Sequence, residues 1–353
     1  MNTEEQYMQR CIQLAKSGAG NVAPNPMVGA VLVYDNKIIG EGFHKKYGQA
    51  HAEVNCVKSV ADENKALIPQ STLFVSLEPC SHFGKTPPCT DLVIENNIKK
   101  VVIGCKDLFK EVAGKGIEKL KNAGIEVISE VLKNECIDLN KRFFTFHGSF
   151  RPYIILKWAQ SANAKIGVKN KRTFISNDYT NRLVHKWRSE EAAILIGTNT
   201  AINDDPLLTT RLWSGKNPVR ILIDKELRLP SSSKIFNKDA RTIIYNLAKD
   251  AIDDNLHLIK IGHKTSSSRE NENLIDQILH SLFEINIQSI LVEGGAKTLQ
   301  SFINSGLWDE ARVITNEKLI IENGIPAPEI KDFTLEKQER YDEDLVSYFY
   351  KIA

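Results

Sequence analysis

The chain has almost no imbalance of charge. Its 46 lysines and arginines stand against 44 aspartates and glutamates, a net of +2 over 353 residues. So weak a field gives no electrostatic reason to expect a nucleic-acid partner. No apolar run approaches the length that spans a bilayer. The first residues, Met1-Asn2-Thr3-Glu4-Glu5-Gln6, are polar and acidic, unlike a signal peptide. A soluble, cytoplasmic protein without membrane association is expected. Repeats and low-complexity tracts are absent, and Ser266-Ser267-Ser268 reads as a loop. Cysteine is missing after residue 136, the six being Cys11, Cys56, Cys80, Cys89, Cys105 and Cys136. They are too sparse for a disulfide scaffold and read as metal ligands or small core residues. Cys11, Cys56, Cys105 and Cys136 sit in apolar settings, which suits a core role.

The informative stretch opens His51-Ala52-Glu53 and closes Glu78-Pro79-Cys80-Ser81-His82-Phe83-Gly84-Lys85-Thr86-Pro87-Pro88-Cys89. The imidazole of His51 and the thiols of Cys80 and Cys89 can supply three ligands to a tetrahedral zinc, leaving one position for water. Glu53 is not needed as a ligand and is placed to move protons. A His-x-Glu followed by Pro-Cys is the signature of zinc deaminases, where two residues usually separate the cysteines. Here residues 81–88 separate them. The competing reading is a structural zinc knot with His82 as fourth ligand. The Glu53 placement and the Pro79-Cys80 pair argue against it.

Hydrophobic periodicity predicts a helix over residues 4–16 and a hairpin of strands over 28–34 and 37–40 turning at Asp35-Asn36. A helix is expected from residue 52 to 61 and a strand from 71 to 77, so that a helix start faces a strand end across a cleft. Helices over 91–97, 116–122 and 135–146 alternate with strands over 99–105 and 125–131. Residues 147–152 are the expected break, dividing the chain into domains 1–147 and 148–353. Asn25, between Pro24 and Pro26, is either a group that hydrogen-bonds a ring substrate or a plain turn residue.

The second half restarts with a strand over 153–158 and a helix over 178–188. Strands are expected at 192–197, 219–224, 242–246 and 256–261, a turn at 203–206 and a helix at 273–284. Two strand-to-helix junctions, Gly197-Thr198-Asn199-Thr200 and Glu293-Gly294-Gly295-Ala296-Lys297-Thr298, present backbone N–H groups where an anion can bind. They suit a dinucleotide, though a diglycine turn also arises from turn chemistry alone, and the Gly-x-Gly-x-x-Gly spacing is absent. Lys157, Arg188 and Arg211 are candidate phosphate clamps or solvated surface charges.

Together these motifs resemble the bifunctional riboflavin-biosynthesis deaminase/reductase family, in which the wide cysteine spacing is usual. The resemblance covers essentially the whole chain, through Lys157, Asn203-Asp204-Asp205-Pro206-Leu207-Leu208-Thr209-x-Arg211 and Val292-Glu293-Gly294-Gly295. It implies an α/β chain: a cytidine-deaminase-like three-layer domain holding Zn2+, then a dihydrofolate-reductase-like domain binding NADPH. The implied reactions are deamination of 2,5-diamino-6-(ribosylamino)-4(3H)-pyrimidinone 5′-phosphate, then reduction of the ribosyl group to ribityl. By similarity His51, Cys80 and Cys89 bind zinc and Glu53 shuttles protons. Cofactor contacts are implied for Ala159, Phe174, Thr200, Asp204, Gly295, Ala296, Lys297, Thr298, Leu299, Gln300 and Ser301. Substrate contacts are implied for Arg188, Leu208, Arg211 and Glu293, joined by Asn25 and Lys157. A homo-oligomer is expected. The chain departs from the family pattern at Ser161-Ala162-Asn163-Ala164 and in a short basic loop over 168–174. Alternatives are a zinc deaminase of another nucleobase with a nucleotide-binding second half lacking reductase activity, and a structural zinc protein with a nucleotide-sensing domain.

Overall fold

The computed structural model describes residues 2–84, 86–107, 113–169, 173–262 and 273–352. The chain divides into two compact units, Met1–Phe150 and Arg151–Ala353.

In the first unit, helix α1 (Thr3–Lys16) is opened by a capping box between Asn2 and Glu5 and buries Met8, Cys11, Ile12 and Ala15. Strands β1 (Gly29–Tyr34) and β2 (Lys37–Phe43) are joined at Asp35 and Asn36, both at positive φ (47° and 59°). That pair of left-handed residues matches the right-handed twist of a hairpin. The chain continues through α2 (Ala52–Lys58), β3 (Thr72–Leu77), α3 (Cys89–Glu95), β4 (Lys100–Cys105), α4 (Lys115–Asn122), β5 (Glu126–Ser129), α5 (Lys133–Leu139) and α6 (Lys141–Ser149). The sheet runs β2-β1-β3-β4-β5, with β3, β4 and β5 parallel and β1 antiparallel to both neighbours.

Side chains alternate across this sheet, as the strand period of two requires. Leu32, Leu73, Val75, Val101 and Ile103 pack on Cys56, Val93, Ile117 and Leu120 from α2, α3 and α4. Val31, Val33, Phe74 and Val102 face the other way, onto Met8, Cys11, Cys136 and Phe144 from α1, α5 and α6. The result is three layers. The helix expected over 135–146 is interrupted at Asn140. Its buried amide accepts from Met27 N–H and donates to Met27 C=O, both at 2.8 Å, which sets the turn entering β1. The expected break at 147–152 is partly helical, because α6 runs to Ser149 and the units part after Phe150.

The second unit contains β6 (Tyr153–Ser161), α7 (Asp178–Glu190), β7 (Ala193–Gly197), α8 (Thr198–Asp204), β8 (Val219–Ile223), β9 (Thr242–Asn246), β10 (Ala251–Asp253) and β11 (Leu256–Lys260). It ends with α9 (Leu274–Glu284), β12 (Ser289–Val292), α10 (Ala296–Asn304), β13 (Glu310–Asn316), β14 (Phe333–Tyr341) and β15 (Asp344–Lys351). Its sheet order is β10-β11-β9-β8-β7-β12-β6-β13-β15-β14. From β11 to β13 the strands are parallel, so their carboxyl ends open on one edge. Ligands bind at that edge in open α/β sheets. The turn expected at 203–206 is a correction: Asn203 and Asp204 close α8, and Asp205 caps it in left-handed conformation. The loop at 266–268, and residues 170–172 of the basic loop, lie outside the described residues.

Candidate active sites

The first site is built where α2 begins and β3 ends. His51 occupies the N-cap of α2 with extended backbone and makes no side-chain cap bond, its imidazole lying instead against the two thiols. Cys80 lies just past β3, after Glu78 and Pro79, and Cys89 is the first residue of α3 rather than part of the loop before it. Their ligand atoms all lie within 4.8 Å of one another. His51 Nδ1 is 3.3 Å from Cys89 Sγ and 3.6 Å from Cys80 Sγ. Tetrahedral zinc with ordinary bond lengths holds such atoms about 3.5–3.8 Å apart. The three residues therefore fit the ion. His82 is exposed and outside the group, so among the described residues nothing supplies the fourth ligand of a structural knot.

One of the two thiols, Cys80, is polarised even before a cation is considered, while Cys89 keeps its proton more tightly than a free thiol. The Cys89 thiol and His51 pull Cys80 down to about 4, and Cys89 N–H donates to Cys80 Sγ at 3.3 Å. Glu53 is 3% exposed in the first turn of α2. Burial pushes its carboxyl up, and the neighbouring Cys80 adds to this.

Two supporting groups were not legible in advance. The buried Glu78 carboxylate accepts backbone N–H bonds from Asp107, Gly114, Gly116 and Ile117 at 2.9–3.2 Å. This fastens the cysteine loop to the start of α4. A Cβ on Gly116 would sit 2.1 Å from Pro79 O, so only glycine allows that approach. His44 is the second. Its Nδ1 lies 3.1 Å from Ala50 C=O, which can only accept, so Nδ1 carries the proton and Nε2 accepts from the Asn25 amide at 3.2 Å. Its ring meets His51 edge-on at 5.4 Å, and burial lowers its pKa. Asn25 is thereby held beside the site.

The second site is two joined clefts at the carboxyl edge of the larger sheet. The larger, of about 820 Å³, is lined by Thr200, Gly295, Ala296, Lys297 and Thr298 among others. The smaller, of about 470 Å³, brings together Lys157, Ala159, Phe174, Arg188, Asp204, Leu208, Arg211 and Glu293. Thr200, Asn203 and Gly295 border both. The two glycine turns pack against each other: a Cβ on Gly294 would lie 2.9 Å from Gly197 N, and Gly295 N–H donates to Thr200 Oγ1 at 2.8 Å. That bond takes one of the N–H groups expected to face an anion. Leu299 is almost wholly buried while edging the smaller cleft. Gln300 and Ser301 line neither cleft. Gln300 bonds Asn304 and Glu329, and Ser301 bonds Lys297 C=O, because both lie further along α10 on its outer side.

Glu293 is the electrostatic centre of the smaller cleft. Arg188 donates to it from Nε and Nη2, both at 2.7 Å, and Lys157 Nζ lies 3.6 Å away. Burial pushes the Glu293 carboxyl up, but Arg188 and Lys157 outweigh that and bring it to about 2. Arg188 Nη1 also donates to Thr209 C=O at 3.3 Å, so three of its five N–H groups serve the protein itself. This makes Arg188 a holder of Glu293 more than a free phosphate clamp. A buried histidine that sequence reasoning passed over, His185, sits one turn before Arg188. Burial and the charges of Arg188 and Arg211 press its pKa to about 4. A long cleft with a glycine turn at a helix start, joined to a compact polar pocket, fits a dinucleotide with its reactive ring in the pocket.

Comparison with known proteins follows the same division. Residues 152–346 match the RibD C-terminal domain, and residues 1–105 match the cytidine and deoxycytidylate deaminase zinc-binding region. The riboflavin biosynthesis protein RibD of Aquifex aeolicus is 38% identical, over 98% of each chain. That of Escherichia coli K12 is 32% identical, over 90% of this chain and 88% of its own. A solved Thermotoga maritima diaminohydroxyphosphoribosylaminopyrimidine deaminase/5-amino-6-(5-phosphoribosylamino)uracil reductase is 35% identical, with TM-score 0.88 over 99% of both chains.

Proposed function

We propose, for a chain that belongs to the RibD family of riboflavin-biosynthesis proteins, a residue-level division of two consecutive reactions. The chain is a bifunctional enzyme, a zinc-dependent deaminase and an NADPH-dependent reductase. Deamination is assigned to residues 1–147 and reduction to 148–353. The first substrate is 2,5-diamino-6-(ribosylamino)-4(3H)-pyrimidinone 5′-phosphate, and the product of both steps is 5-amino-6-(5-phosphoribitylamino)uracil. The match over 152–346 leaves a bare nucleotide-binding second half without support.

In the first unit His51, Cys80 and Cys89 would hold the metal. When bound, zinc supplies a water acidic enough to attack near neutral pH. Glu53, buried and poised, takes a proton from the attacking water and delivers it to the ring amino nitrogen. Oxygen replaces nitrogen on the ring carbon and ammonia leaves. Asn25, held by His44, is placed to hydrogen-bond the pyrimidine. In the second unit Gly295, Ala296, Lys297, Thr298 and Thr200 would hold NADPH, with Ala159, Phe174 and Asp204 towards its reactive end. NADPH, when bound, supplies hydride to the ribosyl carbon. Opening the sugar ring also needs a proton on oxygen, and Lys157 beside Glu293 is placed to give it. Arg211 and Leu208 face the substrate, and Arg188 keeps Glu293 ionised.

The outermost strand β14 of the larger sheet offers an open edge, which supports a homo-oligomer. No helix among the described residues is long and apolar enough to cross a membrane.

The convergence of His51, Cys80 and Cys89 beside buried Glu53 carries the proposal. Glu53→Ala tests it. The variant should keep zinc and fold while deamination falls by about 10²–10⁴ or more, the range for loss of a proton-transfer group. Undiminished deamination would reject the role given to Glu53.

A further inference from the structure

We propose that His185 is a positioning residue of the second unit's smaller cleft, taking up a proton when a phosphate ester binds beside Arg211 and supplying positive charge that Arg211 alone lacks. The inference rests on the reading of that cleft as the reductase's substrate pocket and assigns it a further residue. His185 precedes Arg188 by one helical turn, so the two share a face of α7. It is 4% exposed, and its Nδ1 is buried with no hydrogen-bond partner among the described residues. A residue present only for packing gains nothing from such a nitrogen, because an unpaired buried acceptor costs stability. The ring's hydrogen bond goes to the Thr209 carbonyl, which also accepts from Arg188 Nη1 at 3.3 Å. A carbonyl can only accept, so the proton of the neutral ring is spent there and Nδ1 is left as a bare lone pair. Thr209 follows Leu208, which is buried at φ 54°, a left-handed backbone that leucine seldom adopts. Thr210 is tied by its N–H and its hydroxyl to Asn217 Oδ1, both at 2.9 Å. His185 thus stands behind the segment that carries Leu208 and Arg211 to the cleft.

The charges around the ring explain why a proton would arrive with the ligand. Arg188 faces it from α7, Arg211 from the segment after Leu208, and Glu293 from the end of β12. Lys157 of β6 lies beyond, 3.6 Å from Glu293. Arg188 is committed to Glu293 through two bonds of 2.7 Å, and Lys234 at the cleft is paired with Asp205 at 3.1 Å. Arg211 brings a single charge to a phosphate ester that carries about −1.5 to −2. Without an anion, burial first, then the charges of Arg188 and Arg211, hold the ring neutral, at about 4 against an ordinary 6.5. A phosphate beside Arg211 offsets those charges, and Nδ1 then takes a proton from solvent. The proton returns to solvent when the ligand leaves, and no bond to the substrate forms. Binding therefore raises the ring's pKa. The added affinity is full below about pH 4 and is lost as pH rises through about 6.5.

The test is calorimetric binding of 5-amino-6-(5-phosphoribitylamino)uracil to the full-length, zinc-loaded chain without nicotinamide, so that nothing turns over. The dephosphorylated compound is the control. Wild type and His185→Gln are compared from pH 7.5 to pH 5, and the ratio of their affinities cancels the titration of the phosphate itself. Glutamine keeps an N–H donor for Thr209 C=O but cannot take a charge. The two proteins should bind the phosphorylated ligand within about twofold of each other at pH 7.5, and the variant about tenfold more weakly at pH 5. With the dephosphorylated ligand the two should not diverge. A ratio that stays flat with pH, or the same divergence with both ligands, would overturn the proposal. Should His185→Gln fail to fold, NMR of the unaltered protein with 13C-labelled histidine decides. One buried ring should pass from neutral to imidazolium at pH 5 when the phosphorylated ligand is added, and a ring that stays neutral overturns the proposal. No binding of the phosphorylated ligand at any pH removes the substrate reading beneath it and the proposal together.

Discussion

Replacing Arg188 with methionine strips Glu293 of its bidentate partner while filling most of the same volume. Glu293 would remain buried, its side chain only 8% exposed, with Lys157 still beside it at 3.6 Å. Breaking one side of a buried ion pair costs about 3–5 kcal/mol, mostly because an under-compensated charge is left behind. The double variant Arg188→Met/Glu293→Met removes both charges. It should lose less than the two single variants added together, with a coupling of about 2 kcal/mol. The readout is clean because all four tryptophans, Trp158, Trp187, Trp213 and Trp308, lie in the second unit. Tryptophan fluorescence therefore follows unfolding of that unit alone. A loss of this size in a unit of about 200 residues lowers its midpoint by about 10 °C. The sign with pH follows from Glu293. Its folded pKa, about 2, lies below the ordinary value of 4.5. The stability it contributes is present above about pH 4.5 and is lost as pH falls towards 2. The gap between wild type and Glu293→Gln should narrow across that window. Fully additive single variants, or a midpoint shift under about 2 °C for Arg188→Met, would refute the reasoning.

Gly116→Ala should disturb the first site from a distance. The new Cβ would lie 2.1 Å from Pro79 O, next to Cys80, and relieving that clash costs about 1–3 kcal/mol. Zinc content after dialysis should fall while the tryptophan transition stays put; full zinc retention would count against the account of the cysteine loop. Chelation should open the partly exposed Cys80 to a thiol reagent while Cys11, Cys56, Cys89, Cys105 and Cys136 stay buried, giving one fast-reacting thiol folded and six in denaturant. NADPH-dependent reduction of pre-deaminated substrate should survive the same treatment.

Much of this was readable from local pattern. The ligands of the first site share a short stretch of chain, and their elements carry strong signals: a helix beginning at Ala52 with an apolar stripe, and a buried strand stopped by Glu78-Pro79. Where the reading failed, tertiary structure outweighed propensity. Asn140 interrupts a continuous helical pattern because its amide is needed by Met27, far away in sequence. Strands β13 to β15 went unread, and β14 shows why: most of its residues are exposed, so it carries little inward alternation. The roles of Glu78 and His44 depend on partners brought in by folding, which no spacing announces. Gln300 and Ser301 were placed by resemblance alone, and on α10 they bond Asn304 and Lys297 C=O.

The most direct measurement is to give the purified chain the diaminopyrimidine ribosyl phosphate and follow ammonia and NADPH separately. Without NADPH, ammonia should be released once per substrate. Adding NADPH should then oxidise one cofactor for each ammonia already released. No ammonia in the absence of NADPH, or NADPH oxidised with no ammonia released, would contradict a zinc-site deamination followed by reduction.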